Sequence, residues 1–129
     1  MTLKQYLLLL INEESNELAK EADKAIRFGV LERHPENKEK TNEERLSNKF
    51  IDLITIMYIA NCLGINIHMP DITTFLEDVQ YAELISQKII KTFKFMKQSV
   101  FDGQLNLTIA EIRKYEDTVQ NSIHLLINE

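Results

Sequence analysis

Apolar residues in this chain recur with a helical period. Leu7, Leu10, Ile11, Leu18, Ala22, Ala25 and Ile26 lie three, four or seven apart and form one stripe at about 100° per residue. Ahead of them, Thr2-Leu3-Lys4-Gln5 has the form of a capping box, in which the hydroxyl and the amide each satisfy a free backbone donor. A first helix is therefore expected from Thr2 to about Phe28, with Gly29 as its stop. Thr41-Asn42-Glu43-Glu44 repeats the box and opens a second helix, with acids in the first turn where the dipole favours them. That helix is expected to end near Leu63, ahead of Gly64. From Phe50 to Leu63 it is apolar almost all round, as in a central helix or one at an oligomer interface. Its polar residues, Asp52, Thr55, Tyr58 and Asn61, recur at every third place. A plain solvent face does not explain that spiral.

The pattern continues to the end of the chain. Asp71 or Thr73 opens a third helix reaching about Phe101, with Ile85, Ile89, Ile90, Phe93, Met96 and Val100 on its buried side and Gly103 as its stop. Thr108-Ile109-Ala110-Glu111 caps a fourth, whose stripe is Ile109, Ile112, Tyr115, Val119, Ile123, Leu126 and Ile127. Between the first two helices, Glu32 to Lys40 holds Pro35, Asn37 and seven charged or histidine side chains, and reads as a solvated loop. Ile65 to Pro70 reads as another loop. Four helices with short links make an all-α fold, a four-helix bundle.

Composition narrows the partners. The 129 residues suit one domain, 1–129, and 44% hydrophobic residues suit a real core. A net charge of −5 does not favour nucleic acid. No stretch reaches the roughly 20 apolar residues of a membrane span, so no membrane partner is expected. The apolar run at Tyr6 to Ile11 is too short for a signal peptide and is followed by acid. A lone cysteine, Cys62, forms no internal disulfide and fits a reducing, cytoplasmic setting.

Candidate chemistry starts where the first greasy run turns acidic. Glu13, Glu14 and Glu17 fall within five residues, and Glu14, Glu17 and Glu21 share a helix face. Asp52 stands between Ile51 and Leu53 on the second helix. If the helices pack, that face meets Asp52, and carboxylates crowding a partly dry cleft need a positive partner. Mg²⁺ takes oxygen ligands of this kind. The plainer alternative is a solvated face, with Glu17 paired to Lys20 and Glu21 to Lys24 at i,i+3.

Several motifs resemble a known family. Glu13-Glu14-Ser15-Asn16-Glu17 matches E-E-x-x-E, the first metal motif of the MazG-like all-α nucleoside triphosphate pyrophosphohydrolases, relatives of dimeric dUTPases. Lys24-Ala25-Ile26-Arg27-Phe28-Gly29 is similar to their K-A-x-R-F-G continuation, and Thr41-Asn42-Glu43-Glu44-Arg45-Leu46 to their T-N-x-E-R-L helix opening. Lys88-Ile89-Ile90-Lys91, with Gly103 beyond it, resembles a later lysine-rich helix of the group. The likeness covers about residues 5 to 63 well and 85 to 105 loosely.

The resemblance implies a bundle of the all-α NTP pyrophosphohydrolase type completed by oligomerisation, as a homodimer or homotetramer. It implies hydrolysis of a (deoxy)nucleoside triphosphate to monophosphate and pyrophosphate, with Mg²⁺, or Mn²⁺ in its place, held by Glu14, Glu17 and Asp52. Glu13 would bind a second metal or orient water, completing a catalytic set of Glu13, Glu14, Glu17 and Asp52. Lys24, Arg27, Lys88 and Lys91 would hold phosphate oxygens. For each of these four, a solvated basic face is the plainer alternative, and the three-residue spacing of Lys88, Lys91, Lys94 and Lys97 stops them all facing one ligand.

One position departs from the pattern. The family's second motif, E-x-x-D, here reads Lys49-Phe50-Ile51-Asp52. The Lys49 ammonium either pairs with Glu14 or Glu17 in place of metal, or swings away and leaves three carboxylates, with the Asn48 amide as an added oxygen. The first option gives a catalytically degenerate protein, a nucleotide-binding or protein-interaction module. His34, His68 and His124 lack metal-ligand spacing, and Cys62 reads as core. Phe93, Phe95, Met96 and Phe101 read either as a base-stacking group or as core with a charged outer face.

Overall fold

The computed structural model describes residues 1–34, 37–68 and 73–128, so Pro35, Pro70 and Asp71 lie outside the described residues. Four long helices carry the fold: α1 (Leu3–Phe28), α2 (Asn42–Cys62), α4 (Val79–Phe101) and α5 (Ile109–Ile127). A short helix, α3 (Thr73–Glu77), precedes α4, and two short strands, β1 (Arg33–His34) and β2 (Asn37–Thr41), join α1 to α2. The fold is all-α, with a small antiparallel ribbon where a loop is expected. The ribbon arises because the connector's backbone groups pair with each other, and Asn42 and Glu43 N–H then bond back to Glu32 and Val30 carbonyls.

Thr2 and Thr108 each close the reciprocal box expected of them, with Gln5 and Glu111. At Thr41 only half of the expected box forms: the hydroxyl accepts from the Glu44 N–H, and Thr41 itself pairs with Arg33 in the ribbon. Each such cap contributes about 1 kcal/mol. Gly29 ends α1 at φ 91°, a conformation that a side chain disfavours. The buried Asn42 amide donates to the Gly29 carbonyl at 2.9 Å, tying the end of α1 to the start of α2. The helix expected from about residue 73 to 101 is in fact two, because the Asp78 side chain caps α4 by accepting from the Gln80 N–H.

One apolar cluster joins the long helices, with Leu7, Ile51, Ile59, Ile85, Ile89, Phe93, Met96, Ile112 and Val119 at its centre. Three expected core positions face solvent instead: Ile26 is 83% exposed, Ile90 is 54% exposed and Ile127 is 44% exposed. Each lies beside a residue better placed on the inner face, Ala25, Ile89 and Leu126. Glu21 takes a buried place on the first stripe.

The polar spiral of α2 has a separate explanation at each step. Thr55 donates to the Ile51 carbonyl at 2.7 Å within its own helix. The Tyr58 hydroxyl bonds Ser122 of α5 at 2.6 Å. Asn61 donates to the Ile67 carbonyl in the following loop. Asp52 turns its carboxylate toward an open cleft. A second cross-bundle bond, Tyr6 to Ser99 at 2.6 Å, links α1 to α4. No helix among the described residues is long and apolar enough to cross a membrane.

Candidate active-site cleft

Helices α1 and α2 run in opposite directions, since Glu21 meets Arg45 at one end while Leu10 and Glu14 share a cleft with Asp52 and Ile56 further along. Helix α4 closes the third side of that cleft. The result is a cavity of about 250 Å³ lined by Glu13 and Glu14 from α1, Lys49 and Asp52 from α2, and Lys88 and Lys91 from α4, among others. Leu10, Ile56 and Phe95 add apolar wall, and Thr55 and Thr92 complete it.

The charges inside are arranged in opposition. Lys88 Nζ donates to Asp52 Oδ1, and both side chains are about one-fifth exposed, at 19% and 22%. Lys49 Nζ lies 3.7 Å from Asp52 Oδ2. Both oxygens of Asp52 therefore face ammonium groups. Lys49 pairs with neither Glu14 nor Glu17, because an aspartate three residues on is within its own helical reach.

Glu14 is different. Its Oε2 is buried and has no hydrogen-bond partner. Its carboxyl is pushed above the usual range, first by burial and next by the Asp52 charge, with the Glu17 charge adding to the rise and Lys49 and Lys88 opposing it. Glu14, Asp52, Lys49 and Lys88 thus sense one another, as a shared site requires.

The other candidates disperse. Glu17 does not line the cleft and pairs with Lys20 at 3.3 Å on a partly exposed surface, as the solvated-face alternative has it. Glu21 does pair with Lys24 at 3.3 Å, but it is buried and also faces Arg45 at 3.9 Å. Lys24 is thereby turned away from the cleft, and Arg27 pairs with exposed Asp23 at 3.1 Å. Lys97 goes to Glu116 of α5 at 2.8 Å, so the lysines of α4 diverge as their spacing requires. Of the aromatic group, Phe93 and Met96 are core, Phe101 is exposed, and Phe95 stands at the cleft wall.

Two features were not singled out in the sequence. Arg45 is the cross-helix partner of Glu21, and Thr92 lines the cleft one turn beyond Lys88. Arg45 carried a signal, a long cation opposite the acid face of an antiparallel helix. Thr92 carried none.

The donor set fits a metal in a restricted sense. Among the described residues, no three His, Cys, Asp or Glu side chains gather as a metal cage. Mg²⁺ does not need one, since it is commonly held by one or two carboxylates together with waters and substrate phosphates. Glu14, with its orphaned buried oxygen, and Asp52 are such a pair. Glu17 would have to leave Lys20 to join them. Searched against family models, curated proteins and solved structures, the chain matches none.

Proposed function

We propose that the chain is a Mg²⁺-dependent nucleotide pyrophosphohydrolase that cleaves a (deoxy)nucleoside triphosphate to a monophosphate and pyrophosphate. The observation that carries this reading is the cleft's division of labour. Two carboxylates from different helices, one with a bare buried oxygen, sit opposite the lysines of α4. Glu14 and Asp52 would hold Mg²⁺, or Mn²⁺ in its place, with Glu17 as the third ligand that the resemblance to MazG-like enzymes supplies. The bound ion would polarise phosphate oxygens and lower the pKa of a water there. Glu13, at the cleft wall, orients that water. Lys88 and Lys91 neutralise phosphate oxygens, and Lys49 adds a third cation from the facing helix. Phe95, Leu10 and Ile56 offer an apolar surface for the base. Lys24 and Arg27 lie off the cleft and take no part in this scheme.

The same reading includes a homodimer or homotetramer. Ile26, Phe28, Val30 and Leu31 are exposed in one short stretch at the end of α1, an arrangement that suits burial against a second copy. A cytoplasmic setting accords with the single free Cys62.

A panel of deoxy- and ribonucleoside triphosphates, incubated with Mg²⁺ and followed by pyrophosphate release, tests the activity. Turnover of at least one nucleotide, lost with chelator and in Glu14→Gln, supports it. Absence of release across the panel refutes it.

A second reading has its own observation. Asp52 already carries two ammonium groups, so the site is charge-balanced without metal. On this reading the chain is a catalytically degenerate nucleotide-binding or protein-interaction module. It requires nucleotide binding that is indifferent to Mg²⁺, and a Lys49→Glu variant that acquires metal-dependent stabilisation.

A further inference from the structure

Asp52 and Lys88 each occupy the place the other's ligand would need. Lys88 Nζ bonds Asp52 Oδ1, Lys49 stands 3.7 Å from Oδ2, and Glu14 lies close enough for the Asp52 charge to disfavour its own. Consider a divalent cation arriving alone. It must displace two ammonium groups into a cleft where they find no other anion except Glu13 at the wall. Consider instead a phosphate arriving alone. It must draw Lys88 away and leave Asp52 beside Glu14, two carboxylates in a partly dry space. When both arrive, the cation takes the carboxylates and the phosphate takes the ammonium groups. No charge is then left unpaired.

We propose that the Asp52–Lys88 ion pair is an exchange latch that makes a divalent cation and a phosphate ligand mutually dependent, each binding weakly alone and tightly with the other. This rests on the reading of the cleft as a phosphate site, and it adds the order imposed on its two ligands. The dependence is reciprocal by thermodynamic necessity. Lys91, one turn along α4 from Lys88, provides the next donor for an anion once Lys88 has left Asp52, while the Thr92 hydroxyl beside it is held by the Lys88 carbonyl at 2.8 Å. The latch also keeps stray phosphate out of a cleft that lacks its metal.

The test is calorimetric titration with inorganic pyrophosphate in buffer containing chelator. The wild type binds weakly. Asp52→Asn, of the same shape, releases Lys88 and Lys49 and tightens binding about tenfold or more. Adding Lys88→Met to that variant removes the gain. Glu116→Gln is the control, because it breaks another lysine–carboxylate pair on α4, that of Lys97, outside the cleft. It changes affinity by less than about threefold, as a screened charge outside the cleft should. An unchanged or weaker affinity in Asp52→Asn, or an equal gain in Glu116→Gln, overturns the latch.

A measurement on the wild type guards against a variant that does not fold. Mg²⁺ and pyrophosphate together must raise the melting temperature by more than the sum of their separate shifts, and additive shifts overturn the proposal. Its fate is separable from that of the enzyme reading. A gain in Asp52→Asn without turnover of any nucleotide keeps the latch and removes the hydrolase. Turnover without the gain does the reverse.

Discussion

Two acids on one face of α1 meet opposite outcomes. Glu21 is sealed between α1 and α2: Lys24 donates to Oε1 at 3.3 Å, and Oε2, buried without a hydrogen bond, has the Arg45 charge at 3.9 Å. Glu14, two turns earlier, faces a cleft with one buried oxygen that has neither a hydrogen bond nor an ion pair among the described residues, and holds its proton more tightly than usual. The acids are chemically identical and seven residues apart on an antiparallel pair of helices. What differs is the third wall. At Glu21 a long arginine fills the space from α2. At Glu14 the facing residue is a short aspartate, and α4 stands far enough back to leave about 250 Å³. The first arrangement locks two helices together. The second leaves charge available to a ligand. A carboxylate on a helix face is therefore structural or functional according to what the neighbouring helix places opposite it.

The sharpest way to break this comparison is to neutralise each acid and measure both activity and stability. Glu14→Gln and Asp52→Asn should each lower nucleotide turnover by about 10²–10³-fold, the usual loss when one fixed group facing developing charge is removed. Glu14→Gln should leave stability unchanged or slightly raised, because it removes a charge that burial disfavours. The sign follows from its raised carboxyl: the folded state binds the proton more tightly, so stability at this site is greatest in acid and falls as pH rises through the folded value. Glu21→Ala should act the other way. It strands Arg45, which is only one-fifth exposed, and should cost about 2–3 kcal/mol, less than the 3–5 of a fully buried pair. Chemical denaturation measures that loss. The double change Glu21→Leu with Arg45→Met should recover most of it, as apolar replacement of a buried pair does.

Smaller effects sharpen the contrast. Tyr58→Phe removes the bond to Ser122 and should cost about 1 kcal/mol. Burial first, and the neighbouring Cys62 after it, push the Tyr58 hydroxyl up to about 12 against the Ser122 bond. Its contribution to stability is full below pH 10 and is lost as pH rises toward 12, because the unfolded chain gives up the proton first. Denaturation midpoints of wild type and Tyr58→Phe should therefore converge over that range. Glu17→Gln should have the least effect on stability, under about 0.5 kcal/mol, since its Lys20 partner is well exposed. Its turnover should nonetheless fall, as loss of the third metal ligand requires, and unchanged turnover would leave Glu14 and Asp52 as the working carboxylates.

Much of this was legible in the sequence, for physical reasons. Helix periods and caps depend on neighbours a few residues apart, so α1, α2 and α5 were read within a residue or two. The break at Asp78 was missed because α3 and α4 share one continuous apolar period, and only the cap divides them. Ile26, Ile90 and Ile127 were misplaced for a related reason. Each adjoins a residue in or against the core, and period alone does not choose between neighbours. At the site, the meeting of Glu14 with Asp52 followed from two amphipathic faces. The partners of Asp52 did not. The sequence leaves Lys49 either reaching across to Glu14 or Glu17 or swinging away, and makes Lys88 a candidate for phosphate, whereas both turn to the same aspartate. Side-chain pairing across three helices depends on their separations, which no local pattern encodes.

The account stands most directly on a crystal structure with Mg²⁺ and a nucleoside triphosphate that carries a non-hydrolysable link between its α- and β-phosphates. It predicts the ion on Glu14 Oε2 and Asp52, with the Lys88 ammonium moved from Asp52 to a phosphate oxygen. Lys88 still bound to Asp52, with the nucleotide held elsewhere, would contradict it.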